Sequence, residues 1–168
     1  MLRQAAAAQM KNVYVIDSKS LSTGTGLLAM YAADLRDEGK LSAKEIYEKC
    51  LARVDKVQAS FVVDTMEYLY KGGRCSGLAS FFAGALKIKP SLILRDGKIT
   101  VGPKYMGNMV KSITKYCENI IENYPHADKT RVFVTHTSAD EKVVEAAKAV
   151  VREKIGPVEI IETVAGSV

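Results

Sequence analysis

Apolar residues fall into short clusters along this chain. Their spacing switches between the two-residue repeat of a strand and the 3.6-residue repeat of a helix. Gln4 to Met10 is alanine-rich and reads as helical. Val13-Tyr14-Val15-Ile16-Asp17 reads as a buried strand and Ser18 to Thr25 as a polar loop. Leu27, Leu28, Tyr31, Ala32 and Leu35 share one helical face, and Gly39 ends that helix. Ser42-Ala43-Lys44-Glu45 is a capping box, opening a helix with Ile46, Tyr47, Cys50, Leu51 and Val54 on one face. Phe61-Val62-Val63 reads as a strand, closed by Asp64-Thr65, and Thr65 is placed to cap a short helix over Met66–Tyr70.

Gly72-Gly73 breaks the chain, and Gly77–Leu86 follows without one charged residue. A helix there is apolar on all sides and belongs in a core. Two short apolar runs, Pro90–Leu94 and Ile99–Val101, flank Arg95-Asp96-Gly97-Lys98, and Asp-Gly between such runs signals a tight hairpin. Met106, Met109, Val110, Ile113, Tyr116, Cys117, Ile120 and Ile121 fit one helical face. Arg131–Thr135 reads as a strand. Ser138-Ala139-Asp140-Glu141 reads as a second capping box, on a helix that Gly156-Pro157 stops. Val158–Val164 is the last strand.

These elements predict a mixed α/β chain in two parts. Residues 1–56 hold one strand and helices, and one strand makes no sheet, so this part is an incomplete α/β domain. Residues 57–168 hold about five strands, with the 91–101 pair antiparallel. One mixed sheet through Phe61, Leu92, Val101, Val134 and Ile160 is expected there, with flanking helices.

Composition removes several function classes. The three cysteines, Cys50, Cys75 and Cys117, are far apart, cannot pair completely and form no C-x-x-C, which fits free thiols in a reducing cytoplasm. No apolar run reaches the ~18 residues of a membrane span, and Met1–Met10 has no signal-peptide pattern. Charge is unevenly spread. Nine basic residues between Lys71 and Lys115 face one acid, Asp96, a local charge of +8 in a chain of net +5. That is either a solvated lysine-rich surface or a landing site for an anionic group or acidic partner. A protein- or nucleic-acid-interaction module is the alternative function. Phe81 and Phe82 lie in the uncharged run and do not interleave with the basic residues, which argues against DNA.

Catalytic constellations are missing. Gly24-Thr25-Gly26-Leu27-Leu28-Ala29 matches G-x-G-x-x-[G/A]. Six residues separate it from the preceding strand, and the expected downstream acid would fall on a helix, so it reads better as a Ser/Thr-capped helix start eased by glycine. His126 follows Pro125 in a loop, and His136 closes a strand with no carboxylate or cysteine at ligand spacing, so no metal is expected. Cys75 has no neighbouring base. Arg74 and Ser76, by contrast, begin an apolar helix after the double glycine, a ready anion site with Thr65 close in the pattern. A cation and hydroxyls before a hydrocarbon helix with Leu78, Phe81, Phe82 and Leu86 suit a fatty-acid-like ligand. The other account makes Arg74 a cap on neighbouring carbonyls and the helix ordinary core.

Four stretches, taken together, resemble the DegV family: Val15-Ile16-Asp17-Ser18 with Ser22-Thr23-Gly24-Thr25-Gly26, Phe61 to Leu69, Lys71 to Ser76, and Ile88-Lys89-Pro90. The resemblance implies a two-domain α/β carrier, not an enzyme and without a cofactor, that buries a long-chain fatty acid. It also implies a partner, a fatty-acid kinase of the dihydroxyacetone-kinase-like type. It makes residues 1–56 the remnant of a parallel α/β domain whose headgroup loops would precede Met1, and places a Gly/His segment after Val168. Arg74, Ser76 and Thr65 then front the pocket, and Phe82, Leu86 and Leu92 are tail contacts. Lys104 marks the face offered to the partner. Open apolar faces on residues 1–56 favour a homo-oligomer.

Overall fold

The computed structural model describes residues 10–73 and 88–166. The expected helix at Gln4–Met10, except Met10 itself, and the one at Gly77–Leu86 lie outside these residues. The chain divides into two compact units. The first runs to Ala59 and includes Leu94–Lys98; the second runs from Ser60 to Ile93 and resumes at Ile99.

In the first unit, α1 spans Ser22–Asp37 and α2 spans Ala43–Leu51, followed by a 3-10 turn at Val54–Lys56. Leu28, Leu35, Cys50 and Val54 form its buried apolar set. The capping box at Ser42 is present, with Glu45 Oε2 accepting from Ser42 N at 2.8 Å. Those Ser42 contacts, the backbone N–H first, hold the Glu45 carboxyl below its usual range. Gly39 has φ +68, which stops α1.

Two expectations fail here. Val13–Asp17 is not a strand; no described strand runs beside it, and a lone extended segment has nothing to bond. Val13 and Tyr14 are exposed at 44% and 40%, with the Tyr14 ring stacked on Tyr47 at 5.2 Å. Helix α1 also begins earlier than its apolar face, and Leu21 at its N-cap makes no side-chain cap bond. Gly24 therefore sits in the first turn and Gly26 just after it. A Cβ at Gly24 would come within 2.2 Å of Ser20 Oγ and 3.0 Å of Ala59 Cβ, so close approach is the reason for glycine at that position.

In the second unit the strands fall into two sheets and not one. The first joins β1 (Ser60–Val62), β2 (Ile88–Arg95) and β3 (Lys98–Met106), with a short helix α3 (Glu67–Lys71) after β1. Strands β1 and β2 are antiparallel, with Phe61 opposite Leu92. Asp96 and Gly97 both have positive φ, 50° and 73°, the geometry of the expected hairpin turn. Gly102 is required by packing, since a Cβ there would lie 2.6 Å from Ser91 Oγ.

The second sheet pairs β4 (Arg131–His136) with β5 (Glu159–Val164) in parallel, joined through α5 (Glu141–Ile155). Parallel neighbours need a crossover, and α5 supplies it. Val144, Ala147, Val150 and Val151 are its buried face. The helix α4 (Met109–Asn123) packs on α5 and touches β1.

The helix starts in this unit also differ from expectation. Met106 closes β3 and is 71% exposed, because Gly107 (φ +118) and the cap Asn108, which accepts from Lys111 N, start α4 later. Asp140, not Ser138, caps α5, accepting from Lys142 N at 2.9 Å, while Ser138 turns the chain with φ +52. No described helix is long and apolar enough to cross a membrane.

Candidate functional site

The informative stretch from Phe61 to Ser76 is described as far as Gly73. Strand β1 delivers Asp64 and Thr65 to a tight corner, fastened by Val63 N donating to Pro90 O at 3.2 Å. Lys89 of β2 forms an ion pair with Asp64 and also donates to its carbonyl at 3.3 Å. One of the nine cations of the basic segment is thereby neutralised. Thr65 Oγ1 accepts from Glu67 N at 3.2 Å, the capping role that the sequence assigns it, and the residue is exposed. Gly72 N donates to Tyr68 O and Gly73 takes φ +68, so the double glycine ends α3.

Leu92 lies fully buried opposite Phe61, with Met66 as the other buried member of its cluster. Val63, Leu69, Ile99 and Val101 pack around them. Thr65 and Leu92 thus belong to one local assembly: Thr65 caps the helix whose Leu69, together with Met66 just before it, closes over Leu92. Arg74, Ser76, Phe82 and Leu86 lie outside the described residues. Lys104 is exposed on β3, two residues before Met106.

Two polar clusters escaped the sequence reading. Between β1, β3 and α4, Ser60 Oγ and the Tyr116 hydroxyl share a hydrogen bond of 2.6 Å. Asn119 Nδ2 donates to the Tyr105 hydroxyl at 3.2 Å, and the Tyr105 and Tyr116 rings meet edge to face at 6.0 Å. Burial pushes the Tyr116 hydroxyl pKa up, and pushes the Cys117 thiol up to about 12, so that thiol is inert. Ser112 Oγ is buried without a partner among the described residues. The signal was present as Ser112, Tyr116 and Asn119 at i, i+4 and i+7, on a helix whose apolar residues drew the attention.

The second cluster joins β4, β5 and α5. His136 Nε2 lies 3.1 Å from Glu162 Oε1, and Lys148 pairs with both Glu162 and Glu145. Hydrogen bonds from Lys148, then His136, hold the Glu162 carboxyl below its usual range. Glu145, and then Glu162, raise the Lys148 ammonium pKa. The carboxylate thought absent from His136 is therefore present in space, 26 residues on, where only the register of the parallel pair brings it close. Among the described residues no group of three or more His, Cys, Asp or Glu could hold a metal ion.

A mixed α/β chain with an antiparallel hairpin sheet, a separate βαβ unit and a Gly-Gly-Arg segment after a threonine-capped turn defines a recognisable class. The model of the family described as "Uncharacterised protein, DegV family" matches residues 1–168, and the chain belongs to the DegV family. A DegV domain-containing protein of Caldanaerobacter subterraneus subsp. tengcongensis is 30% identical over 156 residues, which cover 92% of this chain and 54% of that protein. The crystal structure of DegV, a fatty acid binding protein from Bacillus subtilis, matches with a TM-score of 0.74 at 26% identity. It covers 96% of this chain and 57% of the other. The Streptococcus pneumoniae Fatty Acid Kinase (Fak) B3 protein loaded with linoleic acid shares the fold at a TM-score of 0.75 and 22% identity, over 96% and 56% of the two chains. This chain spans about half the length of the curated relatives it matches.

Proposed function

We propose that this chain is part of a non-enzymatic carrier for a long-chain fatty acid. The observation that carries the reading is the family match along the whole chain, together with the 26% identity to a Bacillus subtilis structure described as a fatty acid binding protein. In this reading the bound fatty acid is cargo, no cofactor takes part, the protein is cytoplasmic, and DNA is not a partner. Arg74, with Ser76 and Thr65 nearby, fronts the pocket and orients the carboxylate, while Phe82, Leu86 and Leu92 line the hydrocarbon. Because Leu92 is enclosed by Met66, Phe61 and Leu69, the chain would reach it only as those neighbours part. The carboxylate is presented to a fatty-acid kinase of the dihydroxyacetone-kinase-like type, with Lys104 on the docking face. The description of the pneumococcal structure as a Fatty Acid Kinase (Fak) B3 protein motivates a fatty-acid kinase as partner. The exposed Val13, Tyr14 and Leu51 support self-association of the chain as a homo-oligomer.

The test is lipid extraction from the purified protein followed by mass spectrometry, which should return long-chain fatty acid near one per protein. A protein that carries none, and takes up none from solution, contradicts the reading. A guanidinium–carboxylate contact contributes about 1.5–3 kcal/mol. Arg74→Ala should therefore weaken acyl binding by roughly one to two orders of magnitude with the urea midpoint unchanged. A lost fold with unaltered acyl binding would instead make Arg74 a capping residue.

A further inference from the structure

We propose that His136 is a pH-operated latch on the turn between β4 and α5, independent of the carrier reading. Ala139 N lies 3.3 Å from Nδ1, and a backbone N–H can only donate. Nδ1 must therefore present its lone pair, and the single proton of the neutral ring sits on Nε2, where it donates to Glu162 Oε1 at 3.1 Å. Both nitrogens are committed, so neither is open to bind a metal. A second proton makes the Glu162 contact charge-assisted and reverses the other. It places an N–H on Nδ1 directly against the N–H of Ala139, turning a hydrogen bond into two opposed donors.

The backbone around the ring decides which side gives way. Ala165 N donates to His136 O at 2.9 Å, and β4 and β5 stay paired up to His136 and Val164, so the histidine itself is anchored. The turn is less firmly held. Ser138 has φ +52, a left-handed conformation that costs a non-glycine residue energy, and Asp140 then caps α5 through Lys142 N. Acidification thus releases Ala139 and the turn, not the strand end. Charged groups surround the ring: Glu162 on β5, which lies against Nε2, and Lys148 on α5, paired with Glu162 and Glu145, with Arg152 reaching Glu145 from further along the helix. Asp140 and Glu141 lie on the turn and the first residue of α5. The turn stands at the carboxyl ends of two parallel strands, the edge at which α/β units receive ligands, so the latch alters a surface that can be read by a binding partner.

The chain has two histidines, and His126 is exposed, so a His126→Gln variant leaves a single imidazole to follow. Nitrogen and amide NMR spectra should be recorded from about pH 8 to about pH 5, the span in which histidine charge ordinarily changes. At the upper end the ring should be the Nε2–H tautomer. On acidification the Ala139 amide should shift with the midpoint of the His136 ring, and its protection factor, the exchange rate corrected for the intrinsic slowing of exchange with falling pH, should drop on the order of tenfold as the bond is lost. An Nδ1–H tautomer at the upper end, or an Ala139 amide that stays flat while the His136 ring titrates, overturns the proposal. His136→Gln should abolish the Ala139 response, and a response that persists in that variant overturns it equally; should the variant not fold, the wild-type titration decides alone.

Discussion

The two sheets of the second unit handle buried polarity in opposite ways. Where α4 meets β1, β2 and β3, the polar groups are neutral hydroxyls, and Ser91 and Ser112 are almost completely enclosed. Ser91 donates to Pro103 O at 2.6 Å, and Ser60 and Tyr116 satisfy one another. Where α5 meets β4 and β5, the buried face is purely aliphatic and the polarity is ionic and peripheral: His136, Glu162, Lys148, Glu145 and Arg152 form a chain along its rim. A hydroxyl can be enclosed because a single hydrogen bond offsets most of its desolvation, whereas an ion must keep water or several partners. The first interface is therefore indifferent to ordinary pH, since burial keeps Tyr116 and Cys117 protonated. The second is built from ionisable groups.

The comparison can be broken most forcefully at the apolar centre of the first sheet. Leu92 is fully enclosed, and Leu92→Ala should cost about 2–5 kcal/mol in urea unfolding, according to how far Met66 and Leu69 collapse into the gap. A loss well below that range would mean the site already contains space, which would strengthen its candidacy as acyl-chain lining. A smaller effect comes from the hydroxyls. Tyr116→Phe removes one half of a buried pair and should destabilise by about 1–2 kcal/mol. Ser112→Ala removes an oxygen with no partner among the described residues and should be neutral or stabilising by up to about 1 kcal/mol. Equal losses in the two variants would show that Ser112 is satisfied by an ordered water.

Local rules carried far in this sequence where the physics is local. The Ser42–Glu45 box, the Asp96-Gly97 turn, the stop at Gly156 and the Thr65 cap all involve partners within a few residues, and each appears where the pattern placed it. The failures are those that depend on distant partners. Val13–Asp17 has the composition of a strand, yet a strand exists only if another lies beside it. One sheet and two sheets predict the same strands, and only the pairing tells them apart. Asp140 displaced Ser138 as the cap because His136 accepts from Ala139 N and the chain turns left-handed at Ser138. The site was legible to the same extent. The corner at Asp64-Thr65 follows from its sequence, but its fastening by Lys89 from a strand 25 positions on does not.

The smallest effect, and the sharpest contrast between the two interfaces, concerns the slope of stability against pH. Glu162 and Glu145 are held below the usual carboxylate range, chiefly by hydrogen bonds from Lys148. A carboxylate whose pKa is depressed on folding stabilises the protein above its unfolded value, and that contribution is lost as pH falls through the folded value. Lys148 works in the other direction. Its raised pKa adds stability below its unfolded value, which is lost as pH rises through the folded value. Both contributions are therefore present together at neutral pH and fade at the two extremes. Glu162→Gln removes the carboxylate shared by His136 and Lys148, so a plot of Tm against pH should lose part of its acid-side slope. The change should be modest because Glu162 and Glu145 remain solvent-exposed, and high salt should shrink it further. Tyr116→Phe should lower the whole curve and leave its slope alone. If the two variants change the slope equally, the division between a neutral and an ionic interface is wrong.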